Sequence, residues 1–252
     1  VDNLNLNSMN KENSKHINNT DRPLMFIGSN SVLEKYTELC DELGIQVAGL
    51  LDNDYWGNTE SLCGVPVIDT EQNIDKYIND YNFFCATNWS PIDDPVTTRN
   101  RQKRRRLLTL IREQNISCIS LVDPTARISK YSQIGNGVFI DCHVMVESGS
   151  KVGDFTNIYG QVQVGHNTTI QENCVLQRAV GLASEQILEN DVYLSSGVKA
   201  LKPGVTISSG TFVHELVYIA RGTVKNEIVQ FGTNNTKRVQ RPYDSLLDAI
   251  RF

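Results

Sequence analysis

The chain has 252 residues, 40% hydrophobic and 21% charged, with a formal net charge of −5, the balance of a globular protein with one large or two ordinary domains. That charge argues against a dedicated nucleic-acid binder, and no apolar run approaches the roughly 20 residues of a membrane-spanning helix. Cys40, Cys63, Cys85, Cys118, Cys142 and Cys174 lie far apart, with no CxxC pair or His partner at ligand spacing; they read as reduced, buried thiols of a cytoplasmic protein, with no disulfide frame and no metal.

Residues 1–22 carry seven Asn and no apolar periodicity, the pattern of a flexible arm or of a segment ordered against a partner. From residue 23 strands and helices alternate. LMFIG at 24–28 is a buried strand, SNS a turn, and VLEKYTELCDEL an amphipathic helix stopped at Gly44. The strand IQVAGLLDND, the strand CGVPVID, a helix across 71–80 and the strand NFFCAT follow. The basic helix around RRRLLTLIREQN leads to ISCISLVDP. This predicts an α/β unit with a parallel sheet over 23–122. In such sheets ligands sit beyond the carboxyl ends of strands. Gly28, Ser29 and Asn30 form the first such loop, and Asp52 and Asn53 end the second strand. Two readings stand, a nucleotide-holding loop and a plain strand-to-helix turn, since the full GxGxxG is missing. The basic run RNRQKRRR (99–106) reads as a solvated face or a phosphate contact.

From Ile128 an aliphatic residue recurs every six positions, through Ile134, Ile140, Val146 and so on to Leu194. Neither a helix nor an ordinary strand keeps that beat. Its physical solution is a triangular coil of three short parallel strands per turn, over 123–240, each coil stacked about 4.8 Å above the last. The beat slips by one between Leu194 and Leu201, with Pro203-Gly204 in the slip as a corner turn or bulge. Residues 241–252 offer Leu246, Leu247, Ile250 and Phe252 at helical spacing, a short amphipathic tail suited to docking on a neighbouring subunit.

FIGSNS, GLLDND, CGVPVI, LVDPTARIS, LKPGVTI and FGTNNTKRV, in this order, resemble the sugar O- and N-acetyltransferases that act on sialic acids and on nucleotide-linked 4-amino-sugars. The resemblance spans roughly residues 23–240. It implies a Rossmann-like first domain holding the nucleotide of the sugar through Gly28, Ser29, Asn30, Asp52 and Asn53. It also implies a left-handed parallel β-helix and a homotrimer, with acetyl-CoA as co-substrate between two prisms. Ser184, Gly197 and Lys202 are its candidate cofactor contacts.

The family's general base is a histidine in V-E-H-D/E, and His166 in VGHN falls on that position; neutral imidazole suits the task. The carboxylate after that histidine is Asn167 here, and a second family histidine is matched by Val175. By the eighteen-residue stacking Glu185 lies over Asn167 and is expected to supply the missing carboxylate. The late coil VHELVYI puts His214, Glu215 and Tyr218 where the family has small residues. Two functions therefore stand: an acetyl-CoA-dependent sugar acyltransferase, and a trimeric scaffold that kept the prism without the chemistry.

Overall fold

The computed structural model describes residues 22–92, 95–231 and 236–240; the expected tail at 241–252 and the arm, apart from Arg22, lie outside them. The chain divides into two compact units, 1–121 and 122–252.

The first unit contains β1 (Leu24–Ile27), α1 (Leu33–Leu43), β2 (Val47–Leu51), β3 (Ser61–Leu62), β4 (Val65–Asp69), β5 (Asn82–Cys85) and α2 (Pro95–Glu113). The sheet order is β3-β4-β2-β1-β5. All neighbours are parallel except the β3–β4 hairpin. The chain moves outward from β1 on one side and then returns to pair β5 on the other, so a topological switch point lies between them. β1 is fully buried, and α1 packs by Leu33, Tyr36, Leu39 and Cys40, the three-and-four spacing of one helix face. Burial pushes the Cys40 thiol up to about 12, and Asp41 adds to the shift. Cys63, however, is exposed; all six cysteines are free thiols.

Two elements differ from the sequence reading. The helix expected over 71–80 is a 3-10 turn, Glu71–Lys76. Asp69 gathers Asn73, Lys76 and Tyr77 at 2.7, 3.3 and 3.1 Å, which winds the segment tightly about one carboxylate. The basic helix begins earlier, at Pro95, where a proline lacks only an N–H that no helical carbonyl would accept.

In the second unit, two-residue strands run from β6 (Leu121–Val122) to β21 (Phe212–Val213). Met145–Val146 pairs with Arg127–Ile128 on one side and Gln163–Val164 on the other, so the register repeats every eighteen residues. Three parallel sheets result. The first carries Arg127, Met145, Gln163, Gly181 and Lys199; the second carries Gln133, Lys151, Thr169, Ile187 and Thr206. The third runs from β6 to β21 and continues into the hairpin β22 (Glu227–Phe231)–β23 (Thr236–Gln240). The aliphatic column Val146, Val164, Leu182, Leu188 and Leu194 is at most 4% exposed, so the sixfold beat is the core.

The third residue of most corners is left-handed, as in Phe155 (φ 57°), Asn167 (54°) and Glu185 (61°). Such a conformation costs a non-glycine residue roughly 1–2 kcal/mol. It aims that residue's N–H at the previous coil: Phe155 to Asn136 O at 2.8 Å, Asn167 to Ser148 O at 3.0 Å, Glu185 to His166 O at 2.9 Å. The one-residue slip falls later than the sequence implied. Ala200, 0% exposed, continues the beat, whereas Leu201 is 54% exposed. The extra residue sits in the corner 201–205, with Gly204 left-handed at φ 69°. Beneath it, where Ser132, Ser150 and Thr168 occupy the equivalent inward position, stands the larger Gln186. Its amide donates to Ala200 O and, at 3.0 Å, to Lys202 O, satisfying carbonyls that the bulge turns inward. Gln186→Ala is therefore expected to lower stability by about 1–3 kcal/mol in urea unfolding, and an unchanged midpoint would show the bulge to be self-supporting.

Candidate functional site

His166 sits on the corner Gly165-His166-Asn167-Thr168, between β13 (Gln163–Val164) and β14 (Thr169–Ile170). Polar side chains inside the prism pin both ends of this corner. Ser150 Oγ donates to Gly165 O at 2.8 Å, and Thr168 Oγ1 donates to Ala183 O at 3.0 Å. A Cβ on Gly165 would come within 2.6 Å of the Ala183 carbonyl carbon, so only glycine lets the two coils stack there. The corner is fixed while the imidazole remains exposed.

Asn167 Nδ2 lies 3.3 Å from His166 Nδ1. With the amide in this orientation Nδ1 accepts and Nε2 carries the proton. Turning the amide by 180° presents Oδ1 to Nδ1–H and frees the Nε2 lone pair to act as a base. Asn167 thus orients either tautomer but adds no negative charge. Glu185, expected to supply that charge, reaches His166 only through its own N–H to the His166 carbonyl; among the described residues no ion pair joins its carboxylate to the ring. The carboxylate at this corner is Glu147, which the sequence reading missed. Its Oε2 accepts the His166 backbone N–H at 3.0 Å. The offset of nineteen, one coil plus one residue, is the signal that could have found it.

His166 and Glu147 line a groove of about 550 Å³ with Arg127, Lys130, Tyr131, Met145 and Ser148. Lys130 Nζ stands 4.9 Å from the centre of the Tyr131 ring. Ser184 and Lys202 share the corner column of His166 one and two coils further on, joined by the bond from Gly204 N to Ser184 O at 3.2 Å. Gly197 does not join them. It belongs to the corner on the other edge of the first sheet, where a Cβ would meet Leu216 Cδ2 at 2.6 Å. In the late coil Val213, Val217 and Ile219 are the buried residues, while Leu216 and Tyr218 are 71% and 51% exposed. The His214 ring rests 4.3 Å from that of Phe212, with Glu215 at 3.7 Å.

A second concavity, of about 770 Å³, lies in the first unit and is lined by Ser29, Asn30, Ser31, Asp54, Tyr55, Cys63 and Arg99 among others. Of the five residues expected to hold a nucleotide, Ser29 and Asn30 line it and Gly28, Asp52 and Asn53 do not. Asp52 is 0% exposed. Its oxygens accept two bonds from Lys103 Nζ at 2.8 and 2.7 Å, one from Ser29 Oγ at 2.5 Å and one from Asp54 N–H at 2.9 Å, which leaves no lone pair for a ligand. Asn53 is turned onto Glu71, its N–H donating to Oε2 at 2.9 Å and its Oδ1 accepting Glu71 N–H at 3.1 Å. Gly28 (φ 63°) is required by packing: a Cβ would lie 2.3 Å from Leu107 and 3.3 Å from Lys103 of α2. Asn30 spans the switch point, donating to Asn88 O at 3.0 Å.

The basic run is a solvated face only in part: Arg99, Gln102 and Arg106 are exposed, whereas Lys103 and Arg104 are buried. Lys103 takes Asp52 and Asp54, Arg99 takes Asp54 at 2.7 Å, and Arg106 takes Glu71 at 3.2 Å. Arg104 is buried and donates to Thr87 O. Burial pushes the Asp54 carboxyl up, but the Lys103 and Arg99 bonds outweigh it and hold the group below its ordinary range. Burial dominates at Glu71 and raises it, against the opposing charge of Arg106. Among the described residues no three His, Cys, Asp or Glu side chains are grouped to hold a metal ion, and no helix is long and apolar enough to cross a membrane.

No protein-family model matches the chain, and no curated protein matches it by sequence. Solved structures do. Perosamine N-acetyltransferase from Caulobacter crescentus, solved with CoA and GDP-perosamine in a form with one histidine replaced by asparagine, is 22% identical. It superposes with TM-score 0.73 over 88% of this chain and 98% of its own. The acetyltransferase domain of PglB from Neisseria gonorrhoeae, solved with acetyl coenzyme A, is 18% identical with TM-score 0.72, over 86% of this chain and 100% of its own. WeeI from Acinetobacter baumannii is 15% identical with TM-score 0.71, over 86% and 100%. These likenesses show a shared fold that includes the left-handed parallel β-helix.

The ion layer in the first unit has a direct consequence for stability. Lys103→Met leaves the Asp52 carboxylate buried without its cation and is expected to cost about 3–5 kcal/mol, most of it recovered by adding Asp52→Asn. Chemical denaturation of the single and double variants checks this; a double variant no more stable than the single would mean that the charge is not the cause.

Proposed function

We propose that the chain transfers the acetyl group of acetyl-CoA to an amino or hydroxyl group of a nucleotide-linked or glycan sugar, with His166 as general base. The observation that carries this reading is an exposed imidazole on a rigid corner at the mouth of an open groove. Its Nδ1 is held by Asn167 and its Nε2 is left to the acceptor. The CoA-bound sugar N-acetyltransferases that share the fold support it, and in one of them a histidine is the residue that was replaced.

When bound, acetyl-CoA supplies an activated acyl group as a thioester. The column continuing from His166 suits it: Ser184 offers a hydroxyl, and Lys202 is an exposed cation for phosphate or pyrophosphate. Gly197, behind Leu216 on the other corner, is left out of this contact set. His166 removes a proton from the acceptor, and the resulting imidazolium returns one to the departing sulfur. Asn167 keeps the ring oriented through both states, since an amide can accept from Nδ1–H.

In this reading the first unit is a Rossmann-like domain and its cleft receives the nucleotide at Ser29 and Asn30. Gly28, Asp52 and Asn53 act by shaping the loops. The working unit is a homotrimer; the exposed apolar side chains Ile187, Leu201, Leu216 and Tyr218 on the prism support association between copies. The alternative, a scaffold without chemistry, is favoured by one observation: Leu216 covers the backbone at Gly197.

Calorimetry with acetyl-CoA separates the two readings. The enzyme is expected to bind it, and the scaffold is not. His166→Ala is expected to abolish acetyl transfer while leaving the melting temperature unchanged, because the ring lies outside the core; retained transfer would remove His166 as the base. Asn167→Asp is expected to raise kcat severalfold, because a carboxylate stabilises imidazolium where an amide only orients it, and an unchanged kcat would show that the ring needs no added charge.

A further inference from the structure

We infer that Glu147 is a specificity-determining residue of the groove, selecting an acceptor whose nucleophile is a protonated amine over one whose nucleophile is a hydroxyl. This rests on the acyltransferase reading and deepens it. Three observations carry it. Glu147 is held at the site, because its Oε2 takes the His166 backbone N–H at 3.0 Å. It faces the same groove as His166. Among the described residues no lysine, arginine or histidine side chain pairs with its carboxylate, although the pairs that Asp52, Asp54, Asp69 and Glu71 make are plain.

The groove is also polarised. The eighteen-residue register puts His166, Glu147 and then Arg127 with Lys130 on three successive coils, spaced by about 4.8 Å each. A carboxylate stands one coil from the imidazole, and two cations stand one coil beyond it. An aliphatic amine carries a proton at neutral pH, so it is drawn to the carboxylate that lines this groove. The cations lie where an anionic part of the same acceptor, such as a phosphate, would rest. A hydroxyl nucleophile gives the Glu147 carboxylate a hydrogen bond from an uncharged donor, and an ammonium adds to that bond the attraction of the opposite charge.

The chemistry balances without further groups. The ammonium held by Glu147 gives one proton to His166. The amine nitrogen then bonds to the acyl carbon as the carbon–sulfur bond breaks. The thiolate takes the proton from the imidazolium, and the second amine proton is released to solvent. The products are an amide, a thiol and one proton.

Glu147→Gln tests this, because glutamine keeps an oxygen for the His166 N–H and removes only the charge; Glu147→Ala removes both. Calorimetry near neutral pH with GDP-perosamine, and with the counterpart bearing a hydroxyl in place of its amine, reads the preference without requiring turnover. The native chain is expected to favour the amine about tenfold, the scale of the gain when the donor of such a bond is charged as well. Glu147→Gln should lose that preference with its melting temperature unchanged. Equal binding of both sugars by the native chain, no binding of either, or a preference that survives in Glu147→Gln would overturn the inference. A parallel acetyl-transfer assay keeps the two claims apart. Amine preference without transfer removes the acyltransferase reading and leaves Glu147 in its role; transfer with a preference indifferent to Glu147→Gln does the reverse.

Discussion

Each strand of the prism is two residues long, so no coil can hold its own shape. Stability comes from backbone bonds to the coils on either side, at a fixed offset of eighteen residues. The left-handed residue within a corner belongs to the same scheme. It accepts local strain so that its N–H meets the carbonyl of the previous coil, as Asn167 does with Ser148 and Glu185 with His166. A side chain on a corner is thus located by its coil number. This is why His166, Ser184 and Lys202 form one column although 36 residues separate the first from the last, and why Gly197, only five residues from Lys202, is not in it. An insertion would shift every later coil if it entered a strand. It is confined to the corner 201–205, where the longer Gln186 replaces the small inward residue and satisfies the disturbed carbonyls.

The first unit depends instead on a layer of buried, paired charges. Asp52, Lys103 and Glu71 are each less than a tenth exposed. Such ions are tolerable only when fully paired, and Asp52 has Lys103, Ser29 and the Asp54 N–H around it. The layer joins the carboxyl end of β2 to α2 and leaves Asp54 and Arg99 at the rim of the cleft, already bonded to each other. A ligand entering there meets a neutralised pair, so its recognition must come largely from the uncharged groups of Ser29, Asn30 and Tyr55 or from displacing Arg99.

The prism was legible because a sixfold aliphatic beat has one physical solution, and His166 was legible as a corner residue because the beat numbers the corners. The alternation of strands and helices gave the α/β unit in the same way. What escaped was direction. RNRQKRRR looks solvent-facing by composition, yet Lys103 and Arg104 turn inward because acids and a carbonyl on other elements wait for them, partners 17 to 51 residues away. Asp52 looked like a ligand-binding acid from its place at a strand end; only the approach of α2 over Gly28 shows that its lone pairs are already used. Glu185 was chosen by stacking arithmetic that holds for the backbone, where its N–H meets the His166 carbonyl at 2.9 Å, but stacking of backbones does not fix where a side chain goes. Leu201 was taken as the next core residue because a leucine fits the beat better than Ala200; an insertion decided otherwise.

Charge at the His166 corner follows from these same constraints. If His166 takes a proton, as we propose, it becomes a cation that something must stabilise. Asn167 supplies geometry without charge, and Glu185 is committed through its main chain alone. The nearest carboxylate tied to the corner by a bond is Glu147, anchored by the His166 N–H itself. Being on the preceding coil, it faces the groove that His166 also lines. A carboxylate behind the ring would favour imidazolium whatever the acceptor. On the proposed reading, one in the groove would act on the acceptor's own charge as well, so an acid at position 147 in place of 167 would couple the stabilisation of the base to the identity of the nucleophile.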